Sequence, residues 1–187
     1  MNKALLFLVL CALAGTAKAA VDYQVRISEF MASNKSTILD SEGKSSDWIE
    51  IHNAGSEAVM LEDWSLSDER KNPRKWVFPA VEIEAGAHLL VFASGKNRRD
   101  PGEELHCNFK LSSAGEYLAL YSPEGVAYSC FDTYPAQEAD VSYGYIDSCL
   151  FSLNKPLPDI PMNNRLPYVC FLQFAVIPED ITIRPLC

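Results

Sequence analysis

Asp47-Trp48-Ile49-Glu50-Ile51-His52-Asn53 constrains the fold of this chain more than any other stretch. Trp48, Glu50 and His52 alternate with Ile49, Ile51 and Asn53, and the run breaks at Ala54-Gly55. A two-residue period places successive side chains on opposite faces of an extended backbone, and the glycine turn closes it. The segment therefore reads as a β-strand with two unlike faces, of the kind a sandwich uses.

The same grammar runs along the chain. Gln24–Ala32 reads as an opening strand, with Val25, Ile27 and Phe30 on one side after a small irregularity, and Ser33–Ser46 as a polar surface loop. After Asn53 the chain returns through Ala54-Gly55-Ser56 to Val59 and Leu61, and Trp64 and Leu66 continue the inward alternation. Ser67–Pro73 is highly charged. Apolar character resumes at Trp76 and Phe78 until Pro79 stops it, and Val81 and Ile83 lead to a turn at Ala85-Gly86. Leu89–Ala93 is nearly continuous in apolar residues, as a central strand requires, and ends in Ser94-Gly95. Lys96–Gly102 is a further loop before a strand at Leu105–Leu111. Tyr117–Tyr121 and Val126–Phe131 flank the hairpin turn Ser122-Pro123-Glu124-Gly125, and Val141–Tyr145 is the last predicted strand. No long segment has a helical period, so the chain reads as all-β.

Taken in order, the pieces are an acidic loop, DWIEIHN, VMLEDWSLSD, KWVFP, HLLVFASG, LHCNFKLSSAGEYLALYSPEG and DVSYG. This ordered set resembles the lamin-tail domain in its bacterial, secreted form, over Val25 to Gly144. The resemblance implies an immunoglobulin-like antiparallel β-sandwich whose shared residues are framework residues, not a catalytic site. The expected plan is a signal peptide at 1–19, the sandwich at 22–146 and an irregular Pro-rich tail at 147–187. Within that tail Pro156, Pro158 and Pro161 enforce extended, loop-like chain. Its end reads equally as an extra edge strand or as the stub of a longer protein cut by a changed reading frame.

Lys3, the apolar run Ala4–Gly15 and the small-x-small site Ala17-Lys18-Ala19 have the form of an export signal, so the mature chain is expected to begin at Ala20 or Val21. The run is shorter than the about 20 residues that span a bilayer, and Cys11 lies inside it behind Leu10 as a spacer. The formal charge of −9 grows more negative once Lys3 and Lys18 leave. Such a chain repels phosphate backbones at long range, which argues against nucleic acid as a partner. Five of the six cysteines remain, Cys107, Cys130, Cys149, Cys170 and Cys187, and an odd number leaves at least one thiol unpaired within a monomer. Cys107 and Cys130 fall in predicted strands as small buried residues.

Trp48, Trp64 and Trp76 sit at alternating positions and are expected to anchor the core instead of forming an exposed ligand platform. Asp40, Glu42 and Asp47, with Glu29 nearby, are candidate calcium ligands, but they lack the remaining ligands of a calcium loop, and a solvated loop is the expectation. Glu50 shares its face with Trp48 and His52 and has no partner in sequence for acid–base catalysis. A structural pairing to an arginine or a backbone group is expected, and Asn53 reads as a turn residue. His52, His88 and His106 have no metal-ligand spacing, so a zinc site at His106 and Cys107 would need distant ligands. No hydrolase elbow or phosphate-cradling glycine loop occurs. Arg70, Lys71, Arg74 and Lys75, with Lys96, Arg98 and Arg99, could join into an anion-binding patch, although neighbouring acids dilute both clusters.

These features together point to an exported, non-enzymatic interaction or scaffolding module without cofactor. It would bind a protein or polymer partner at the cell envelope or outside, through the loops Ser33–Ser46, Asp68–Arg74 and Lys96–Glu104. The alternative is an accessory part or truncated fragment of a larger secreted hydrolase, of nuclease or phosphatase type.

Overall fold

The computed structural model describes residues 24–146, 149–153 and 183–185, with side chains described over 24–145. The leader and most of the tail lie outside the described residues. Strands β1 (Val25–Met31), β2 (Asp47–Asn53), β7 (His88–Ala93), β8 (Leu105–His106), β11 (Ser142–Ile146), β12 (Cys149–Leu153) and β13 (Ile183–Pro185) form a sheet in the order β13-β12-β11-β1-β2-β7-β8. A second sheet, in the order β10-β9-β4-β5, is built from β4 (Ser65–Ser67), β5 (Trp76–Val77), β9 (Leu118–Tyr121) and β10 (Ala127–Phe131). A small ribbon pairs β3 (Val59–Met60) with β6 (Glu82–Ile83). The described residues contain no helix, and none is long and apolar enough to cross a membrane. The result is the expected immunoglobulin-like sandwich.

Among the described residues every strand pair is antiparallel except β7 with β8, which runs parallel. A tight hairpin would have returned antiparallel. Here a loop with left-handed Gly95 and Asn97 carries the chain across before β8 pairs. The expected strand Leu105–Leu111 shrinks to two residues for the same reason, since beyond His106 only an isolated bridge from Lys110 to Ser94 remains.

Between the sheets, Ile27, Phe30, Ile49, Ile51, Trp64, Leu66, Trp76, Phe78, Val91 and Leu120 form one buried cluster. Phe30 meets Phe131 edge-on and Tyr134 and Tyr143 at a tilt, at ring-centroid distances of 5.1, 4.7 and 5.5 Å. Burying a tryptophan removes on the order of 200 Å² from water, about 5 kcal/mol gross. The irregularity in the first strand is a β-bulge between Ile27 and Glu29, which returns Phe30 to the inner face.

Trp48 departs from expectation in location. It is buried, but with Met31 and Phe92 on the outer face of the large sheet, where Ile38 and Leu90 pack against it. Alternation had already put Trp48 opposite Ile49 and Ile51. A loop residue, Ile38, helps cover it there, so a second small core exists outside the sandwich.

The sheet also continues past β11. Gly144 pairs with Phe151 and Ser152 with Arg184, so the described parts of the tail form strands at the sheet edge. At Gly144 the backbone of β1 leaves no room for a side chain: a Cβ there would press on the Ser28 carbonyl oxygen and lie 2.9 Å from Glu29 Cα. Gly144→Ala is therefore expected to force β11 from β1 and cost about 2–3 kcal/mol, read as a lowered urea midpoint.

Candidate functional site

Three loops converge on the segment 104–110. The backbone N–H of Ser41, in the acidic loop, donates to Glu104 at 2.7 Å. Asn97 N–H donates to the Cys107 carbonyl at 3.3 Å and His106 N–H to that of Arg98 at 3.1 Å, which seats the loop Lys96–Glu104. The Asn108 amide donates to the Lys75 carbonyl at 2.7 Å and so ties in the charged loop after β4. The three loops singled out in the sequence are thus joined through one crossing segment.

The acidic loop is fixed at several points along its length. Asn34 Nδ2 donates to the carbonyls of Ile38 and Ser46 at 2.6 and 2.8 Å, and its Oδ1 accepts from the Thr37 N–H and hydroxyl. Asp140, in the left-handed region at φ 58°, accepts from the N–H groups of Lys35 and Ser36 and from the Ser36 hydroxyl. With Ile38 packed near Trp48, Leu39 is left 57% exposed at the loop's outer surface.

Asp40 is buried and accepts from Glu42 N–H, Lys44 N–H, the Ser46 hydroxyl and Lys96 Nζ, the last at 2.6 Å. Burial opposes its charge, but the Lys96 hydrogen bond and the loop's own donors outweigh this and hold its carboxyl below the usual range. Glu42 pairs with both Lys96 and Arg98, and Asp47 accepts from Asn34 N–H. The calcium candidates Asp40, Glu42 and Asp47 thus already have partners within the protein. Their oxygens face protein donors and cations, which calcium would have to displace.

The basic patch is altered by the same pairing. Arg70 binds Asp132, Arg74 binds Asp63, Lys75 binds Asp68 and Glu69, Lys96 binds Asp40 and Glu42, and Arg98 binds Glu42. Five of the seven cations are thus neutralised by carboxylates, and the other two, Lys71 and Arg99, form no ion pair with the described residues. A polyanion would have to break these contacts to use the patch.

Glu50 lies on the outer face of β2, buried, beside Glu29 of β1 in register. Among its partners are the Ser28 hydroxyl, which donates to it at 2.5 Å, and His88, whose Nδ1 lies 2.8 Å away. His52 stacks on His88 at 4.2 Å, and the Ser142 hydroxyl donates to Glu29. In this group the carboxylate sits between hydroxyl and imidazole. A nucleophilic relay needs the imidazole next to the hydroxyl, so the order here is wrong for activating Ser28. Asn53 does more than turn the chain, since its amide donates to the carbonyls of Glu57, Ile83 and Glu84.

His106 is buried with Nδ1 2.9 Å from the Ser94 hydroxyl, and burial together with Lys96 and Arg98 lowers its pKa. Cys107 is buried and free, its thiol pushed up by burial to about 12. No group of three or more His, Cys, Asp or Glu side chains among the described residues is arranged to hold a metal ion. Cys130, expected to be buried, is exposed on β10, because its position in the strand faces away from the core-facing Phe131. Sequence reading missed Asn34, Glu104 and Asp140 as loop anchors. Asn34 carried a local signal as an Asx residue opening a loop, whereas the Asp140 contact joins residues 105 apart.

A family model described as Lamin Tail Domain matches residues 18–135. No curated protein matches the chain.

Proposed function

Since the chain belongs to the lamin tail domain family, whose domains are non-catalytic and immunoglobulin-like, we propose that it is an exported interaction module whose partner docks on the three-loop end of the sandwich. The observation that carries this reading is Leu39, an exposed aliphatic side chain on a loop that hydrogen bonds and Ile38 hold in place. A preformed loop loses little conformational entropy when a partner binds, so a single apolar anchor contributes more of its burial to affinity. The internal neutralisation of Lys75, Lys96 and Arg98 favours a protein surface with a small apolar pocket over an anionic polymer. Export rests on the leader pattern of Lys3, Ala4–Gly15 and Ala17-Lys18-Ala19.

Leu39→Asp tests the site against Val126→Asp, a change at a similarly exposed apolar residue in the β9–β10 turn, 56% exposed. Both variants are expected to keep the wild-type melting temperature. Leu39→Asp should weaken capture of the partner from envelope and extracellular fractions by at least about tenfold, and Val126→Asp should leave it unchanged. Equal capture by the two variants would refute the assignment.

A further inference from the structure

At the start of β1, Arg26 lines a cleft of about 270 Å³ together with Tyr128, Ser129, Cys130 and Tyr145, and the Cys130 thiol donates to Asp132, the partner of Arg70. This arginine differs from three of the four at the loop end. Arg70, Arg74 and Arg98 each meet a carboxylate, whereas Arg26 has no ion pair among the described residues. Its Nε is buried without a hydrogen-bond acceptor. Buried donors rarely stay unsatisfied, and Arg26 meets no carboxylate among the described residues although the sequence has 25 acidic residues.

The rest of the lining has matching chemistry. Tyr128, Ser129, Cys130 and Tyr145 supply hydroxyls, a thiol and aromatic surface, and the described lining carries no carboxylate of its own. Partial desolvation raises the pKa of the Cys130 thiol and the Tyr145 phenol, so both are neutral at pH 7 and do not repel an anion. The β9–β10 ladder slips between Ala127 and Ser129, which takes Tyr128 out of regular pairing beside the cleft. Bulges of this kind re-aim side chains at sites.

We propose that this cleft binds an oxyanion, a carboxylate or phosphate group, carried on an apolar or aromatic stem. Arg26 donates to the oxyanion through its guanidinium fork, and Tyr128 and Tyr145 flank the stem. The site is independent of docking at the loop end, so Leu39→Asp is expected to leave it intact.

The test is calorimetric titration of the full chain with benzoate, phenyl phosphate and neutral benzyl alcohol. At least one anion should bind saturably and at least about tenfold more tightly than the alcohol, and added salt should weaken it. The tighter of the two anions identifies the source of the oxyanion. Arg26→Gln should lose about tenfold or more in affinity, and Arg26→Lys should retain part of it. A second readout needs no variant: a saturating anion should slow alkylation of Cys130, followed by mass spectrometry. Equal binding of benzyl alcohol, wild-type affinity in Arg26→Gln, no saturation below about 10 mM, or unchanged Cys130 alkylation would each overturn the proposal.

Discussion

Trp64→Ala is expected to lower the unfolding free energy by about 3–5 kcal/mol, the range that truncation of a fully buried tryptophan commands. Trp64 is buried in the inter-sheet cluster and packs on Tyr128 at 5.2 Å, on the far side of the interior from β1 and β2. Truncation removes its transfer free energy and leaves a cavity between two sheets that are held by their own ladders and cannot collapse into it. The urea midpoint should fall with little change in slope. Trp48→Ala separates the two cores. Trp48 packs in the outer cluster with Ile38 of the acidic loop, so its loss should destabilise the protein by a comparable amount and also loosen the loop that presents Leu39. Hydrogen exchange should show faster opening of Ser33–Ser46 in Trp48→Ala than in Trp64→Ala.

Lys96→Met is expected to cost about 2–3 kcal/mol, near the lower bound for breaking a buried ion pair. The Asp40 side chain is fully buried, whereas that of Lys96 is 25% exposed, and Asp40 keeps its backbone donors when the lysine is lost. These two facts place the cost below that of a wholly buried pair. Removing the charge as well should recover much of the loss, so the double variant Asp40→Asn, Lys96→Met should be more stable than Lys96→Met alone. The pH dependence has a defined sign. Because the folded-state pKa of Asp40 lies below its ordinary 3.8, the contribution is complete above 3.8 and is lost as pH falls from there through the lower folded value. Lys96→Met should flatten that acid limb of the stability curve.

The strands were readable because a half-buried sheet writes its faces into the chain with period two. DWIEIHN carried that signal, Leu89–Ala93 the continuous apolar run of a central strand and Ser122–Gly125 the residues of a turn, and each became a strand or the turn between strands. The partners of those faces were not readable. Alternation set Trp48 opposite Ile51 but could not show that Ile38 would help cover it, nor that Glu50 would meet Ser28 and His88 across neighbouring strands. Charge pairing was hidden for the same reason. Lys96 and Asp40 are 56 residues apart, so a basic cluster and an acidic loop that look like separate ligand sites are one internal contact. The parallel β7–β8 pair escaped because a long loop leaves strand direction open, whereas a two-residue turn fixes it.

The most direct measurement of docking at the three-loop end is photo-crosslinking in living cells, with a benzophenone amino acid placed at position 39 or at position 126. A partner seated on the loops predicts one discrete adduct from position 39 and none from position 126, at unchanged protein levels. An adduct from position 126 alone, or the same adducts from both positions, would contradict it.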